Sequence, residues 1–435
     1  MNRRDFIKSS AMASAMAAAP SIVVGQGAPR EFKVGLIGCG GRGRGAYGNL
    51  CEAAKQLNCK IKLVGCADFF MDRARSFAKA QRVDEKLAFD GANGYKNVIS
   101  AKPDIMILTT PLNFRPRHLM ACVEAGIHVF AEKGVAVDGA GCRLFLEASK
   151  KAAEKHLTLV AGTQRRHHAG YLRQAKALKD GKVQPILGGC VYWNGSVPWV
   201  RRSQPGATNK DYLCSNWLNF TELSGDHICE QHVHNIDVAN WFIGRYPKSV
   251  VGFGFRARRY SGNQYDFFGL DFDYGEGVHI HSMCRQIDGC HNNVSELFRT
   301  PDAIIYGGGK IRRPDGKNVT LDGDFREGNP YVVEHYDLLR SIMGTGPYFN
   351  EGETVAMSTA CGVIGRMAAY TGQIIRLNDI LTNTKSQFYN MNCVPTPEDF
   401  EKAGDVPLPA EMLRMPDLTG IALPGQPWRQ LKNYK

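Results

Sequence analysis

The 435-residue sequence has no apolar run of convincing membrane-spanning length, no Cys-x-x-Cys pair, no internal repeat and no low-complexity tract. The first absence argues against a polytopic membrane protein. The second removes the commonest zinc-binding spacing, and the last two exclude a solenoid or a disordered array. Acidic residues are fewer than basic ones, 42 against 54, giving a net charge of +12. The basic residues are scattered, however, so the excess reads as diffuse solvated charge and no nucleic-acid partner is expected. Thirteen cysteines without regular spacing do not make a disulfide framework and read as buried or free thiols. What is present is a globular profile: 43% hydrophobic and 10% aromatic. At roughly 150 residues per domain, two or three domains fit this length.

Residues 1–28 read as a targeting segment. Arg3-Arg4 precedes a mildly apolar stretch rich in alanine and serine, from Ser9 to Val24. A twin arginine, a short apolar region and small residues are the pattern of a bacterial twin-arginine export signal. The expected partner is that export machinery, and the expected address is the periplasm. That route carries folded proteins, so a cofactor would be acquired before export.

Residues 32–162 read as a dinucleotide domain. Phe32 to Ile37 is an apolar run of strand length that enters Gly38-Cys39-Gly40-Gly41-Arg42-Gly43, followed by a helical segment from about Ala46 to Leu57. G-x-G-x-x-G between strand and helix permits a tight turn, a close backbone approach to pyrophosphate, and helix–strand packing. A second strand from Ile61 ends at Asp68, placed to hold both ribose hydroxyls and repel a 2′-phosphate, so NAD is expected over NADP. Further strands are expected at 104–109, 127–131 and 157–162. Their carboxyl ends carry Thr110, Pro111 and Asn113, then Glu132 and Lys133, then Gln164, Arg165 and Arg166. A parallel α/β sheet binds its ligand along that edge.

These pieces resemble the glucose–fructose oxidoreductase/inositol dehydrogenase (Gfo/Idh/MocA-type) family. So do Ala125-Gly126-Ile127-His128-Val129, Glu230-Gln231-His232-Val233-His234-Asn235-Ile236-Asp237 and Gly365 to Gly372. The resemblance implies an α/β Rossmann domain followed by an α+β domain with an open, mainly antiparallel sheet, here 163–391, often used for homo-oligomerisation. Residues 392–435 are expected to form an extended tail. The resemblance also implies that Lys133 lies beside nicotinamide and substrate, and it maps the family's Asp-x-x-x-His pair to Glu230 and His234. This chain departs from the pattern at three places. Gly134 replaces a proline, Glu230 replaces Asp, and Arg115 stands where a histidine is usual, implying a different substrate-side contact.

Removing a hydride from an alcohol carbon requires a base for the hydroxyl proton. His234 is the natural candidate. Glu230, four residues earlier on an expected shared helix face, would orient it, and Lys133 would stabilise developing alkoxide charge. Gln164, Arg165 and Arg166 suit polyol hydroxyls, a carboxylate or cofactor phosphates. Trp193, Trp199 and Trp217 are a possible stacking platform, although core or interface roles are commoner for tryptophan. A metal set from His227, Glu230 and His234, with Cys229, His232, His279 and His281, is weighed against the metal-free role of the pair; no metal is expected. The expected function is NAD-dependent oxidation at a secondary alcohol of a sugar, polyol or glycoside, with a tightly held cofactor. Two rivals are a glycosidase or lyase working through a transient keto-sugar, and a non-catalytic NAD- or sugar-binding protein.

Overall fold

The computed structural model describes residues 29–259 and 261–409. The export signal read at 1–28 and the part of the expected tail at 410–435 lie outside the described residues.

Six strands form a parallel sheet: β1 (Glu31–Ile37), β2 (Lys60–Asp68), β3 (Ala88–Asp90), β4 (Ile105–Leu108), β5 (His128–Ala131) and β6 (Leu159–Ala161). Their order is β3-β2-β1-β4-β5-β6, a doubly wound order with its switch point between β1 and β4. All four residues of β4 and all three of β6 are buried. A parallel sheet with helices on both faces requires such uninterrupted apolar runs. Asp104 adds a local anchor, accepting the Lys33 amide at 2.8 Å.

A second sheet contains β7 (Gly188–Gly195), β8 (Ser249–Phe255), β9 (Phe267–Asp273), β10 (His279–Gln286), β11 (Asn293–Arg299), β12 (Ile304–Tyr306), β13 (Lys310–Arg312) and β14 (Ile375–Arg376). Its order is β13-β12-β11-β7-β10-β9-β8-β14. Every pairing is antiparallel except β7 with β10. Sequence periodicity reaches β8, β9 and β10 but not β7 or β11–β13, whose glycines and polar residues blur the alternation. One face carries Val191, Phe268, Leu270, Ile280, Cys284 and Phe298 into a core shared with the helix Gly352–Thr371. The helix Pro330–Met343 returns to pack on the helix Gly41–Gln56 of the first sheet. Asn329 fixes its start by accepting the Tyr331 amide at 3.1 Å, Pro330 occupies its first turn, and Gly344 ends it at φ +68°.

Beyond residue 391 the chain is not wholly extended. Thr396 and Asp399 form a capping box that starts a helical turn, Pro397–Glu401.

Candidate active site

The glycine turn is built as its chemistry demands. Gly38 has φ +98°, and a side chain at Gly43 would overlap the Gly38 carbonyl oxygen. At Gly40 and Gly41 a Cβ would meet nothing within 4 Å, so the turn presents an open face. The helix Gly41–Gln56 starts there with no side-chain cap and no acid in its first turn, leaving its amide-rich end for an anion. Asp68 holds the turn from β2: it accepts the Cys39 amide at 2.8 Å and the Phe70 amide at 3.1 Å. Burial raises its pKa from the ordinary carboxylate value, while those two amides and Arg73 oppose the shift. Along the same edge several buried polar atoms lack partners: both amide atoms of Asn113, Thr163 Oγ1 and Gln164 Oε1. Burial without a hydrogen bond is costly. These atoms, the open turn and the Asp68 carboxylate together fit a dinucleotide laid across the carboxyl ends of β1, β2, β4 and β6. Thr110 and Pro111 line the adenosine end of this cleft, with Thr110 Oγ1 3.4 Å from His118 Nδ1.

At the other end the cations are paired. Lys133 Nζ lies 2.8 Å from Glu230 Oε1 and 2.7 Å from the Glu230 carbonyl oxygen. Arg42 leaves the glycine turn to pair with Glu132, approaches Glu334 at 3.4 Å, and sits 5.0 Å above the Tyr331 ring. Arg165 pairs with buried Glu296, which also accepts from Tyr171 and Asn235. Arg166 grips Asp237 through two bonds of 2.8 and 2.9 Å, under the Trp241 ring. Gln164 donates to the Tyr331 hydroxyl at 3.1 Å. His234 stacks on Trp193 of β7, with centroids 5.7 Å apart and planes at 19°. Burial, then the charges of Lys133, Arg165 and Arg42, hold the His234 imidazole well below its ordinary pKa, so the ring is neutral at pH 7.

Three expectations change. Glu230 and His234 do not share one helix face. The helix His227–Glu230 ends, and Val233–Ile243 begins after an irregular turn in which the His232 amide reaches back to the His227 carbonyl. That five-residue bond widens the turn as a π-type turn does. The His234 amide bonds Gln231 instead, and the freed Glu230 carbonyl receives Lys133. The same break scatters the metal alternative. His227 packs on Phe268, His232 bonds Ser282 at 2.7 Å, and His279 pairs with Asp271 on an exposed strand. Arg115 is not a substrate contact. It is 3% exposed and its Nη1 donates to the carbonyls of Glu132, Lys133 and Gly134. It clamps the Lys133 loop where the family has proline. Arg166, committed to Asp237, is likewise a structural tie. Of the tryptophans, Trp193 reaches His234, whereas Trp217 lines the adenosine end and Trp199 packs edge-on against Trp217.

Tyr331, Glu296 and Trp193 complete the surroundings, and the first two escaped sequence reading. Tyr331 opens a helix legible only as packing on the first domain, and Glu296 sits in a strand whose alternation is weak.

Residues 32–162 match the model of an oxidoreductase family with an NAD-binding Rossmann fold, the Gfo/Idh/MocA family. That match spans the first domain. Residues 1–20 match the twin-arginine translocation signal. Inositol 2-dehydrogenase of Klebsiella pneumoniae strain 342 is 29% identical over 224 residues, covering 51% of this chain and 57% of that protein. Inositol 2-dehydrogenase 3 of Saccharopolyspora erythraea is 33% identical over 177 residues, 40% of this chain and 49% of that protein. The chain thus spans about half the length of the curated relatives it matches. An aldose-aldose oxidoreductase from Caulobacter crescentus, solved with glycerol, superposes with a TM-score of 0.64 at 15% identity, covering 80% of this chain and 100% of that one. Levoglucosan dehydrogenase with NADH and levoglucosan gives the same four values. At those identities the likeness establishes the fold, Rossmann domain and second sheet together.

Proposed function

We propose that this protein is an exported NAD-dependent oxidoreductase that takes hydride from a secondary alcohol of a neutral sugar, polyol or glycoside. One observation carries the reading: Lys133, just beyond the carboxyl end of β5 in an NAD-type Rossmann sheet, reaches into the second domain to bond the side chain and carbonyl of Glu230 at 2.8 and 2.7 Å, four residues before His234. NAD, when bound, supplies the hydride acceptor. His234 is ready to accept the hydroxyl proton because it is unprotonated. Lys133 holds the substrate oxygen and stabilises its negative charge as the proton leaves. Glu230 fixes the direction of Lys133 from side chain and backbone at once.

The charge balance favours an uncharged substrate. Lys133, Arg42, Arg165 and Arg166 each face a carboxylate, so none is left over for a substrate acid or phosphate. Among the similar dehydrogenases, two are named for neutral compounds, inositol and levoglucosan, and two are named for or solved with charged UDP-sugars. The twin-arginine signal supports a periplasmic address, where free NAD is scarce. A held cofactor restored by a second substrate suits that setting.

A homo-oligomer would use the outer face of the second sheet. Phe253, Gly269, Met283 and Tyr192 form one row across β8, β9, β10 and β7, and Phe253 is 69% exposed.

The test is to identify any dinucleotide released from the purified protein, then screen neutral sugars, sugar acids and aryl glycosides in parallel. Reduction of bound NAD by a neutral polyol supports the proposal. Glycoside cleavage without net NADH would replace it with the keto-sugar lyase reading. Bound NAD that no sugar reduces would leave a binding protein.

A further inference from the structure

The adenosine end of the cleft is walled by more than the Rossmann domain. A cavity of about 670 Å³, its open mouth included, is bounded by Gly38, Asp68, Phe69 and Phe114 from the first domain and by Cys214 and Trp217 from the second. Behind this wall lies the segment 396–406. Phe400, 3% exposed, packs edge-on against Phe69 and Phe114 at centroid distances of 6.4 and 5.3 Å. Val406 joins the same apolar cluster, together with Leu213, Phe220 and Leu223.

The segment is fastened on two sides. Toward the first domain, Glu401 pairs with Arg117 and with Lys96 at 3.1 Å, and accepts from the Tyr95 hydroxyl at 3.3 Å. Glu398 adds a further bond to Arg117 at 2.6 Å. Toward the second domain, Lys210 Nζ donates to the carbonyls of Phe400 and Lys402 at 3.2 and 2.8 Å. Asp405 accepts the amides of Asn209 and Lys210, the first residues of the helix Asn209–Ser215 that carries Cys214. The segment therefore ties a helix of each domain to a common strap across the pocket wall.

We infer that residues 396–406 and the helix Asn209–Ser215 form a strap that retains the dinucleotide by its adenosine half, with Phe400 as the residue that positions Phe69 and Phe114 against it. The inference rests on the NAD reading of the cleft. Removing the Phe400 ring opens space behind two lining side chains, and removing the Glu401 charge unfastens the strap from Arg117 and Lys96.

The experiment uses the full-length protein with NAD or NADH bound, and compares it with Phe400→Ala and Glu401→Gln. Dinucleotide content after gel filtration and the rate of NADH release into excess NAD, followed by nicotinamide fluorescence, are the readouts. The wild type is expected to keep its dinucleotide through the column, and both variants to release it at least tenfold faster. Thermal melts of the stripped proteins establish that each variant is folded, and Phe400→Leu, which refills much of the space, should restore slow release. Wild-type release complete within the mixing time, or equal rates in folded wild type and both variants, would overturn the strap while leaving NAD binding intact. A wild type that binds neither NAD nor NADH would instead remove the reading beneath it.

Discussion

Lys133 and Glu230 meet across two domains: the ammonium two residues beyond β5 bonds both the side chain and the carbonyl of a residue in the second domain, at 2.8 and 2.7 Å. Both side chains are largely withdrawn from solvent, 13% and 14% exposed. A pair so placed loses much of its hydration, and deleting one partner leaves the other uncompensated. The same pair aims the lysine and joins the halves of the site.

Lys133→Ala should lower kcat on the substrate found by screening by about 10²–10³, the scale for losing a donor to a developing oxyanion. His234→Gln should cost about 10²–10⁴, the scale for a general base. Neither side chain lines the adenosine end, so bound NAD per protein should stay near the wild-type value. Steady-state rates beside dinucleotide content after gel filtration check this. A tenfold loss or less in both variants would take these residues out of the chemistry.

Asp68 sets the expected preference for NAD. Replacing it by serine removes the charge that opposes a 2′-phosphate, while Arg73, now 3.8 Å from Asp68 Oδ1, becomes available to it. NAD affinity should fall, because the two amides that Asp68 accepts lose their partner, and the preference for NADH over NADPH should shrink by about tenfold or more. Titrations of each reduced cofactor by fluorescence measure this. An unchanged ratio would place the discrimination elsewhere.

His167 makes stability depend on alkaline pH. It is buried between Asp337, 2.7 Å from Nδ1, and Glu351, 3.3 Å from Nε2. Burial alone would lower its pKa, but the two carboxylates outweigh it and push the value up to about 10. The folded pKa lies above the unfolded value near 6.5, so its contribution is complete below pH 6.5 and is lost as pH rises toward 10 and beyond. The difference in melting temperature between wild type and His167→Asn should therefore narrow steadily over that window. A constant difference would mean that His167 is not charged in the fold.

The first domain was legible because its signals are local. The glycine turn, the all-apolar strands and Asp68 each need only their neighbours in sequence to be understood. The second half depends on distant partners. Arg115 looked like a substrate contact, since nothing nearby in sequence shows that three carbonyls around Lys133 will close over it. The face shared by Glu230 and His234 failed at one extra residue in a turn, which no periodicity can reveal. Gly134, where the family pattern has proline, suggests a less constrained backbone around Lys133. A Cβ there would in fact overlap the Cys229 carbonyl oxygen, so the absent side chain is what lets the Glu230 segment come close. Glu296 and Phe400 were invisible for the same reason, since their side-chain partners lie sixty to several hundred residues away.

The seating of Phe400 on Phe69 and Phe114 has a consequence for biogenesis. A ribosome makes the nucleotide domain early and the residues that roof it late, so the nascent domain passes through a stage when its binding groove is uncovered. A dinucleotide bound during that interval would be covered only once residues 396–406 had been made and seated.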